Sequence, residues 1–165
     1  MGANHTSKNK QIIKTSASNN AKNDLKTKYH LHQRLIGKGA FAKVYKGTSL
    51  ANPNLKVAIK CYKTKHLFES DMKAIEAEAK VLAQLDHPHI VRYYEALRDD
   101  ENLYIVTEYI EGQTLAEMLS QNGKTFSEQE AAHMIYQLAS AVQHCHENNV
   151  VHRDIKPDNI LVDKD

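Results

Sequence analysis

Hydrophobic and polar positions divide the chain into a polar N-terminal segment and a longer region in which apolar residues recur at regular intervals. Residues 1–28 are rich in Asn, Lys, Ser and Thr and hold few residues that a core could bury. Such a composition cannot offset the entropy of ordering the chain, so we expect residues 1–28 to form a disordered tail. Order is predicted to begin near Tyr29.

Short runs of β-forming residues follow this tail, each bounded by glycine, proline or clustered polar residues. They predict five strands, near residues 31–36, 44–45, 56–62, 90–96 and 103–110. Between the third and fourth runs, apolar residues recur at helical spacing at Met72, Ile75, Ala79 and Leu82. This spacing predicts a helix over residues 71–85, and Pro88 prevents its continuation.

The last third of the chain is predicted to be mainly helical. A short helix is expected over 114–121, and a longer one follows Ser127, which forms an S-x-x-E capping box with Glu130. The longer helix has an apolar face made of Ile135, Leu138, Ala139 and Val142. Within this chain we expect that face to lack packing partners and to stay exposed. Strand-like residues follow at 150–151 and 160–162.

Composition is that of an ordinary globular protein. The chain has 22 Lys and Arg residues against 20 Asp and Glu residues, a net charge of +2, and 41% hydrophobic residues. This balance argues against nucleic acid as a partner, because proteins that bind it concentrate positive charge. We expect no membrane span and no secretory signal, since no apolar run approaches ~18 residues. The two cysteines, Cys61 and Cys145, form no CxxC pair, which favours a reducing, cytoplasmic location.

The extreme N terminus matches the pattern M-G-x-x-x-[ST] of N-myristoylated proteins, since it reads Met1-Gly2-Ala3-Asn4-His5-Thr6. Lipidation of Gly2, helped by the lysines that follow, would give weak association with a membrane. The alternative is a tail that begins with glycine by chance. Both interpretations stay open, so the predicted location is cytoplasmic or peripheral to a membrane.

A glycine-rich turn lies between the first two predicted strands and reads Gly37-Lys38-Gly39-Ala40-Phe41-Ala42. A dinucleotide-binding loop would open a helix and place an acidic residue about 20 positions later. Here residues 44–47 are strand-like, and no Asp or Glu occurs between Ala42 and Glu69. The Walker pattern GxxxxGK[ST] is also absent. Two interpretations remain: a hairpin whose backbone amides approach a triphosphate, and an ordinary hairpin that contains glycine.

The third predicted strand contains the run Val57-Ala58-Ile59-Lys60. Because strand side chains alternate between faces, Ala58 and Lys60 share one face. On that face the small Ala58 would leave room for the flat base of a nucleotide, and Lys60 would provide a positive charge for its phosphates. The alternative is that Lys60 is an ordinary surface lysine. The predicted helix offers Glu78 as the partner of Lys60. Glu78 shares the inward face with Ile75, whereas Glu76 points away from it.

The most specific segment is a polar loop that reads His152-Arg153-Asp154-Ile155-Lys156-Pro157-Asp158-Asn159. It resembles the catalytic loop H-R-D-x-K-P-x-N of protein kinases, and the glycine-rich turn and the VAIK-type strand precede it in that family's order. The chain is therefore similar over residues 29–165 to eukaryotic-type serine/threonine protein kinases, and Lys156 favours that class over tyrosine kinases. The turn and strand together are most similar to autophagy-initiating kinases, and polo-like and calcium/calmodulin-dependent kinases share parts of them.

The resemblance implies an α+β fold with two lobes. A five-stranded antiparallel N-lobe with one helix would occupy about residues 29–110, and the start of a mainly helical C-lobe about 111–165. It also implies that the kinase domain is incomplete here, because the D-F-G segment that should follow Asp165 within about ten residues is not in this sequence. For that reason we expect the 165-residue chain on its own to be catalytically inactive.

Catalytic roles also come from the resemblance, position by position. Asp154 would accept or orient the proton of the substrate hydroxyl, and Lys156 would neutralise the transferring phosphoryl group. Asn159 would be a ligand of magnesium, which it would share with the D-F-G aspartate. Lys60 would contact the α and β phosphates of ATP and pair with Glu78.

The ATP-binding set implied by the resemblance also contains Ile36, Gly37, Lys38, Gly39, Ala40, Phe41, Ala42, Val44, Ala58, Thr107, Glu108, Ile110 and Leu161. Within it Thr107 is the gatekeeper, and the backbone of Glu108 and Ile110 would bond the base. Three apolar residues form the roof of the base pocket, namely Ile36, Val44 and Ala58, and Leu161 forms its floor. Ala42 departs from the family's pattern, which has a third glycine there.

The function implied is transfer of the γ-phosphate of ATP to Ser or Thr of protein substrates in the complete domain, with magnesium. The rival is a catalytically inactive nucleotide-binding or scaffold fragment, and a third alternative is a chain that does not fold alone. Histidines at 87, 89, 144 and 146 resemble metal ligands. No four-ligand set is visible among them, so we expect no structural metal.

Overall fold

The structure, a computed structural model, describes residues 25–39, 41–121 and 125–164. Its first half contains α1 (Leu25–Lys28), β1 (Tyr29–Lys38), β2 (Ala42–Ser49), β3 (Lys56–Lys63), a 3₁₀ turn (Thr64–His66) and α2 (Glu69–Leu82). Its second half contains β4 (Tyr93–Arg98), β5 (Asn102–Glu108), β6 (Gly112–Thr114), α3 (Leu115–Ser120), α4 (Glu128–Glu147), a 3₁₀ turn (Pro157–Asn159) and β7 (Leu161–Asp163). Residues 1–24 of the predicted tail, the lipidation motif at Gly2, and Ala40 lie outside the described residues.

Five strands form one antiparallel sheet in the order β1-β2-β3-β5-β4, which confirms the predicted N-lobe. Hydrophobic clusters cover both faces of this sheet. One cluster contains Leu25, Tyr29, Val57, Ile59, Leu97, Tyr104 and Val106. The other lies where α2 packs, and contains Ala42, Tyr62, Ile75, Ala79, Leu103 and Ile105. Strand β3 contributes to both clusters and is therefore buried on two sides.

The boundary of the predicted tail is wrong in its last four residues. Leu25–Lys28 form the helical turn α1, and the Leu25 side chain is only 3% exposed in the first cluster. Two polar contacts hold the turn in place: Lys28 forms an ion pair with Glu95, and the Tyr29 hydroxyl donates to Glu95 Oε1 at 2.9 Å. The composition of the segment did not indicate this turn, because Leu25 is its one buried residue.

A second, two-stranded sheet formed by β6 and β7 was not predicted. Gly112 is paired with Asp163, and a Cβ at Gly112 would lie 1.8 Å from the Val162 carbonyl oxygen. Only glycine therefore allows the two strands to approach this closely. The sheet matters for the site because β7 directly follows the polar loop 152–159.

Helix α4 begins as the sequence predicts. The Ser127 hydroxyl accepts from the Glu130 N–H at 3.2 Å, and the Glu130 carboxylate accepts from the Ser127 N–H at 2.8 Å, which completes the capping box. The predicted apolar face of α4 is only partly exposed: Ile135 (63% exposed) and Ala139 are exposed, whereas Leu138 and Val142 are half-buried. The buried positions of the helix are Ala141 and Cys145. Within the described ranges no helix is both long and apolar enough to span a bilayer.

The side of α4 that does pack reaches the connection between α2 and β4. The His87 ring stacks on His144 with ring centroids 5.2 Å apart, and His87 Nε2 lies 3.0 Å from Ser140 Oγ. Neighbouring histidines and burial lower the pKa of His87, with burial as the larger cause. The histidines that resembled metal ligands thus include two that join a helix to a connecting loop.

Three further boundaries differ from expectation. Residues 150–151 are not a strand: Asn149 has a φ of 59°, which turns the chain out of extended geometry just before them. Strand β4 begins at Tyr93, since a turn occupies the residues before it, and α2 ends at Leu82. Each difference lies at an element end, where pairing with other segments decides the boundary.

Leu25 gives a test of the unexpected turn. Leu25→Ala should lower the free energy of unfolding by about 2–4 kcal/mol, because it leaves a cavity under the sheet. Leu50→Ala is the control: Leu50 is 54% exposed, so its loss should change stability by less than about 0.5 kcal/mol. Urea denaturation measures both, and equal effects would show that α1 does not pack as described.

Candidate active site

Strand β3 places the predicted nucleotide-binding residues on one face of the sheet. Directly opposite residues of neighbouring antiparallel strands share a face. Val44 and Ile105 are the partners of Lys60, and Thr107 is the partner of Ala58. Lys60 and Ala58 share a face as predicted, so Val44 and Thr107 lie on that face with them. We call this surface, Val44, Ala58, Lys60 and Thr107, the cleft face.

Lys60 forms the predicted ion pair with Glu78. Its Nζ lies 2.9 Å from Glu78 Oε1, and Glu76 is not the partner. One premise of that prediction is wrong, however: the Glu78 side chain is 43% exposed and lies beside the buried stripe of α2 rather than within it. A pair this exposed is screened by water and adds little stability. Its effect is to fix the position of the Lys60 ammonium.

Tyr62 adds a third member that sequence reasoning missed. It follows Lys60 by two residues, so it lies on the same face, and its hydroxyl donates to Glu78 Oε2 at 3.4 Å. Burial disfavours the charge of Lys60, but the hydrogen bonds with Glu78 and Tyr62 outweigh it, so the pKa of Lys60 lies above its ordinary value. The two-residue alternation was the signal that could have identified Tyr62.

The glycine-rich turn is tight and leaves room above it. The Gly39 N–H donates to the Ala42 carbonyl at 2.9 Å, and β1 and β2 extend up to the turn on either side. Among the described atoms, a Cβ at Gly39 would meet only that carbonyl, at 3.9 Å. The packing of the turn does not itself require glycine here, so the backbone is open to close approach by a ligand. Phe41 beside it is 67% exposed.

The segment from the end of β5 to β6, residues 108–111, is tied to neighbouring parts of the five-stranded lobe. The Glu108 N–H donates to the Arg92 carbonyl at 2.9 Å, so this N–H is not available to a base, and Ile110 lies beyond the end of the strand. Lys56 Nζ lies 2.9 Å from Glu111 Oε2, which ties this segment to β3. The predicted roof residue Ile36 and floor residue Leu161 are 39% and 47% exposed, and Leu161 lies in β7.

The polar loop gathers its predicted catalytic residues around one carboxylate. Lys156 Nζ lies 3.0 Å from Asp154 Oδ2, and Asn159 Nδ2 donates to the same oxygen and to the Asp154 carbonyl, both at 2.9 Å. The Asp154 N–H donates to His152 Nδ1 at 3.3 Å. Arg153 has a φ of 68°, in the left-handed region, and this bend turns the chain between His152 and Asp154.

These contacts set the charge of Asp154. The Lys156 ammonium first, and the Asn159 amide second, hold the pKa of Asp154 below its ordinary value. The side chain is 62% exposed, and Oδ1 takes part in neither of these two contacts. Asp154 is therefore an ionised, accessible carboxylate at neutral pH, and can accept a proton from a hydroxyl group placed beside Oδ1.

The site residues form two clusters: Lys60, Glu78 and Tyr62 on the sheet and α2, and Asp154, Lys156 and Asn159 in the loop. In the part of the chain that the structure describes, no hydrogen bond or ion pair joins one cluster to the other. Each cluster pairs a cation with a carboxylate, so neither leaves a bare charge.

The donor set suits magnesium only together with a ligand's own oxygens. Among residues 25–39, 41–121 and 125–164 no three His, Cys, Asp or Glu side chains form a group that could hold a metal ion. Asp154 and Asn159 offer a carboxylate and an amide oxygen. Magnesium is commonly bound by one or two such groups plus the phosphates of a substrate, so these residues fit the ion in that combination.

A comparison with protein families agrees with this fold. The family model described as the protein kinase domain matches residues 29–165. The chain belongs to the protein kinase domain family.

Individual relatives are also kinases. The chain is 41% identical over 148 residues to CBL-interacting serine/threonine-protein kinase 16 of Arabidopsis thaliana, with 88% of this chain and 31% of the relative covered. It is 39% identical to NUAK family SNF1-like kinase 1 of Homo sapiens, covering 86% and 21%. It is 40% identical to the serine/threonine-protein kinase PrkC of Bacillus subtilis, covering 79% and 20%.

The chain thus spans between about a fifth and a third of the length of these relatives. Their names belong to several kinase groups, so the similarity of the glycine-rich turn to autophagy-initiating kinases stays a prediction. The roles of the individual site residues also stay predictions, although the structure shows the geometry in which they would act.

Lys156 tests the electrostatics of the loop. Lys156→Met should raise the pKa of Asp154, because the carboxylate loses the cation that favours its charged form. A ¹³C NMR titration of the Asp154 carboxyl carbon measures the shift. Lys164→Met, which removes an ammonium 4.0 Å from Glu111, is the control and should leave Asp154 unchanged. An unchanged pKa in Lys156→Met would contradict the pairing described.

Proposed function

We propose that this chain supplies the nucleotide-binding lobe and the catalytic loop of an ATP-dependent serine/threonine protein kinase. The observation that carries the proposal is the pair of clusters described above, in which one cation lies on the cleft face and one carboxylate lies exposed in the loop. The first suits phosphate binding and the second suits activation of a hydroxyl group. The kinase relatives support the same class of reaction, transfer of a phosphoryl group to a protein.

The cleft face would bind ATP. Lys60 carries a fixed positive charge for the phosphates, because Glu78 holds its ammonium in one position. Ala58 and Thr107 lie opposite one another, and their small side chains would leave room beside Lys60 for a flat base. Gly39 leaves the backbone of the turn open to the phosphates. The residues present therefore fit the nucleotide, and when bound ATP supplies the phosphoryl group while Mg²⁺ offsets its negative charge.

The catalytic loop would act on the protein substrate. Asp154 Oδ1 accepts the hydroxyl proton of a Ser or Thr side chain, as its lowered pKa keeps it ionised. Lys156, which already contacts Oδ2, supplies positive charge beside the reacting hydroxyl. Asn159 fixes the carboxylate through its amide N–H and retains its amide oxygen for a magnesium ion. Such reactions depend on positioning and charge more than on covalent chemistry.

Specificity for Ser and Thr rests on Lys156 and on the relatives, two of which are named as serine/threonine kinases. The particular protein substrates, and a location in the cytoplasm or at a membrane, stay predictions. The inactivity of residues 1–165 expressed on their own also stays a prediction. Its reason is that Asn159 would lack the D-F-G aspartate as a second ligand of magnesium.

Lys60 gives the test of this function in the full-length protein. Lys60→Met should reduce kcat for phosphate transfer by about 10²-fold or more, since the phosphates lose their fixed cation. The fold should survive, because Lys60 faces the cleft with 38% of its side chain exposed. Incorporation of labelled phosphate into a generic protein substrate measures the rate.

Lys63→Met is the matched control, because Lys63 is exposed on the same strand and its loss should leave the rate unchanged. Equal rates in Lys60→Met and wild type would contradict the assignment. Nucleotide binding by a wild-type protein that transfers no phosphate would support the rival, a non-catalytic nucleotide-binding domain.

A further inference from the structure

Tyr62 occupies a position where the hydrophobic core meets the candidate active site. Its side chain is 4% exposed and belongs to the cluster between the sheet and α2, where it packs with Ile75 and Ala79. A phenylalanine would fill this space equally well. The hydroxyl group is therefore the part of Tyr62 that packing does not explain, and a buried hydroxyl is costly unless it forms a hydrogen bond.

The partner of that hydroxyl is the carboxylate that holds Lys60. Tyr62 Oη donates to Glu78 Oε2 at 3.4 Å, while Glu78 Oε1 accepts from Lys60 Nζ at 2.9 Å. The two oxygens of one carboxylate are thus divided between a buried tyrosine and a partly exposed lysine. The Lys60 ammonium also lies 5.4 Å from the centroid of the Tyr62 ring, within the range of a cation–π contact.

The surroundings of Tyr62 make it a rigid reference point. In the sheet its partners are Ala42 on β2 and Leu103 on β5, and both are buried. Ala42 is also the last residue of the glycine-rich turn and the first residue of β2. Burial raises the pKa of the Tyr62 hydroxyl, so it remains protonated and able to donate at physiological pH.

We propose that Tyr62 is a positioning residue for phosphate transfer, whose hydroxyl anchors Glu78 so that α2 presents the carboxylate to Lys60. This inference rests on the proposed kinase function. Without the hydroxyl, Lys60 is the one side-chain partner that the Glu78 carboxylate keeps within the described part of the chain, and both are long side chains about 40% exposed to solvent. The paired arrangement is then less populated, and the free enzyme loses activity in proportion.

Tyr62→Phe in the full-length protein isolates the hydroxyl, because it keeps the ring and its packing. We expect kcat/KM for ATP to fall about twofold to threefold, the lower end for the loss of one hydrogen bond, because the contact is long at 3.4 Å. Tyr104→Phe is the matched control: Tyr104 is also buried, and it donates to Asp99 Oδ2 at 2.8 Å on the opposite face of the sheet. Its activity should equal that of wild type.

A double-mutant cycle separates positioning from a general loss of structure. If Tyr62 acts through Glu78, Tyr62→Phe should have no further effect in a Glu78→Gln protein, whereas a purely structural effect would add to it. The affinity for ATP, measured by titration calorimetry, provides the same cycle if turnover in Glu78→Gln falls below detection. Urea denaturation of each variant monitors the fold.

The outcomes distinguish the two proposals. A wild-type protein that neither binds ATP nor transfers phosphate contradicts the proposed function itself. An active wild type in which Tyr62→Phe matches Tyr104→Phe contradicts only the positioning role, as do additive effects in the cycle. A selective loss in Tyr62→Phe that disappears in the Glu78→Gln background supports it.

Discussion

Strand β3 can lie in only one register, and the rest of the candidate site depends on this constraint. Val57 and Ile59 are completely buried on one face, so the residues between and after them must face α2 and the cleft. A slip of one residue would bury the Lys60 ammonium and expose Ile59. The fold would then lose buried apolar surface and hold an unpaired charge in its core. The pattern of apolar residues in a single strand thereby places Ala58, Lys60 and Tyr62 on the same face of the sheet.

Energetic magnitudes show that the core positions the site rather than the reverse. Complete burial of Val57 or Ile59 stabilises the fold by about 1.5–3 kcal/mol each. The Lys60–Glu78 pair, with side chains 38% and 43% exposed, lies in the range of exposed pairs, ~0–1 kcal/mol. The loop cluster around Asp154 is still more accessible. Changes to these charged residues should therefore alter chemistry far more than stability.

Sequence reasoning was most accurate where periodicity is strong. The five strands, α2 and the pairing of Lys60 with Glu78 were all predicted, because the two-residue and 3.6-residue patterns determine which side chains can meet. The α4 capping box was predicted for a similar reason: its two partners are three residues apart. Local chemistry is sufficient in such cases.

The features that were missed depend on contacts between distant segments. Leu25 is buried in one cluster with Val57, Leu97 and Val106, and nothing near Leu25 in the sequence indicates these partners. The sheet of β6 and β7 brings Gly112 to within contact of Val162, some fifty residues later in the chain. The Tyr62 hydroxyl contact with Glu78 likewise joins a strand to a helix. For the same reason residues 150–151 look like a strand in the sequence, but among the described strands none pairs with them.

We propose that Asp154, as an ionised carboxylate, activates the hydroxyl group of a protein substrate. The most direct measurement is kcat for phosphate transfer by the full-length Asp154→Asn protein, which keeps the shape of the side chain but removes its charge and basicity. If Asp154 is the general base, kcat should fall about 10²–10⁴-fold, which is the usual contribution of such a group. The affinity for ATP should remain nearly unchanged. Asp158→Asn, four residues later in the same loop, should remain active. An Asp154→Asn protein with the wild-type kcat would contradict the role of Asp154 as general base.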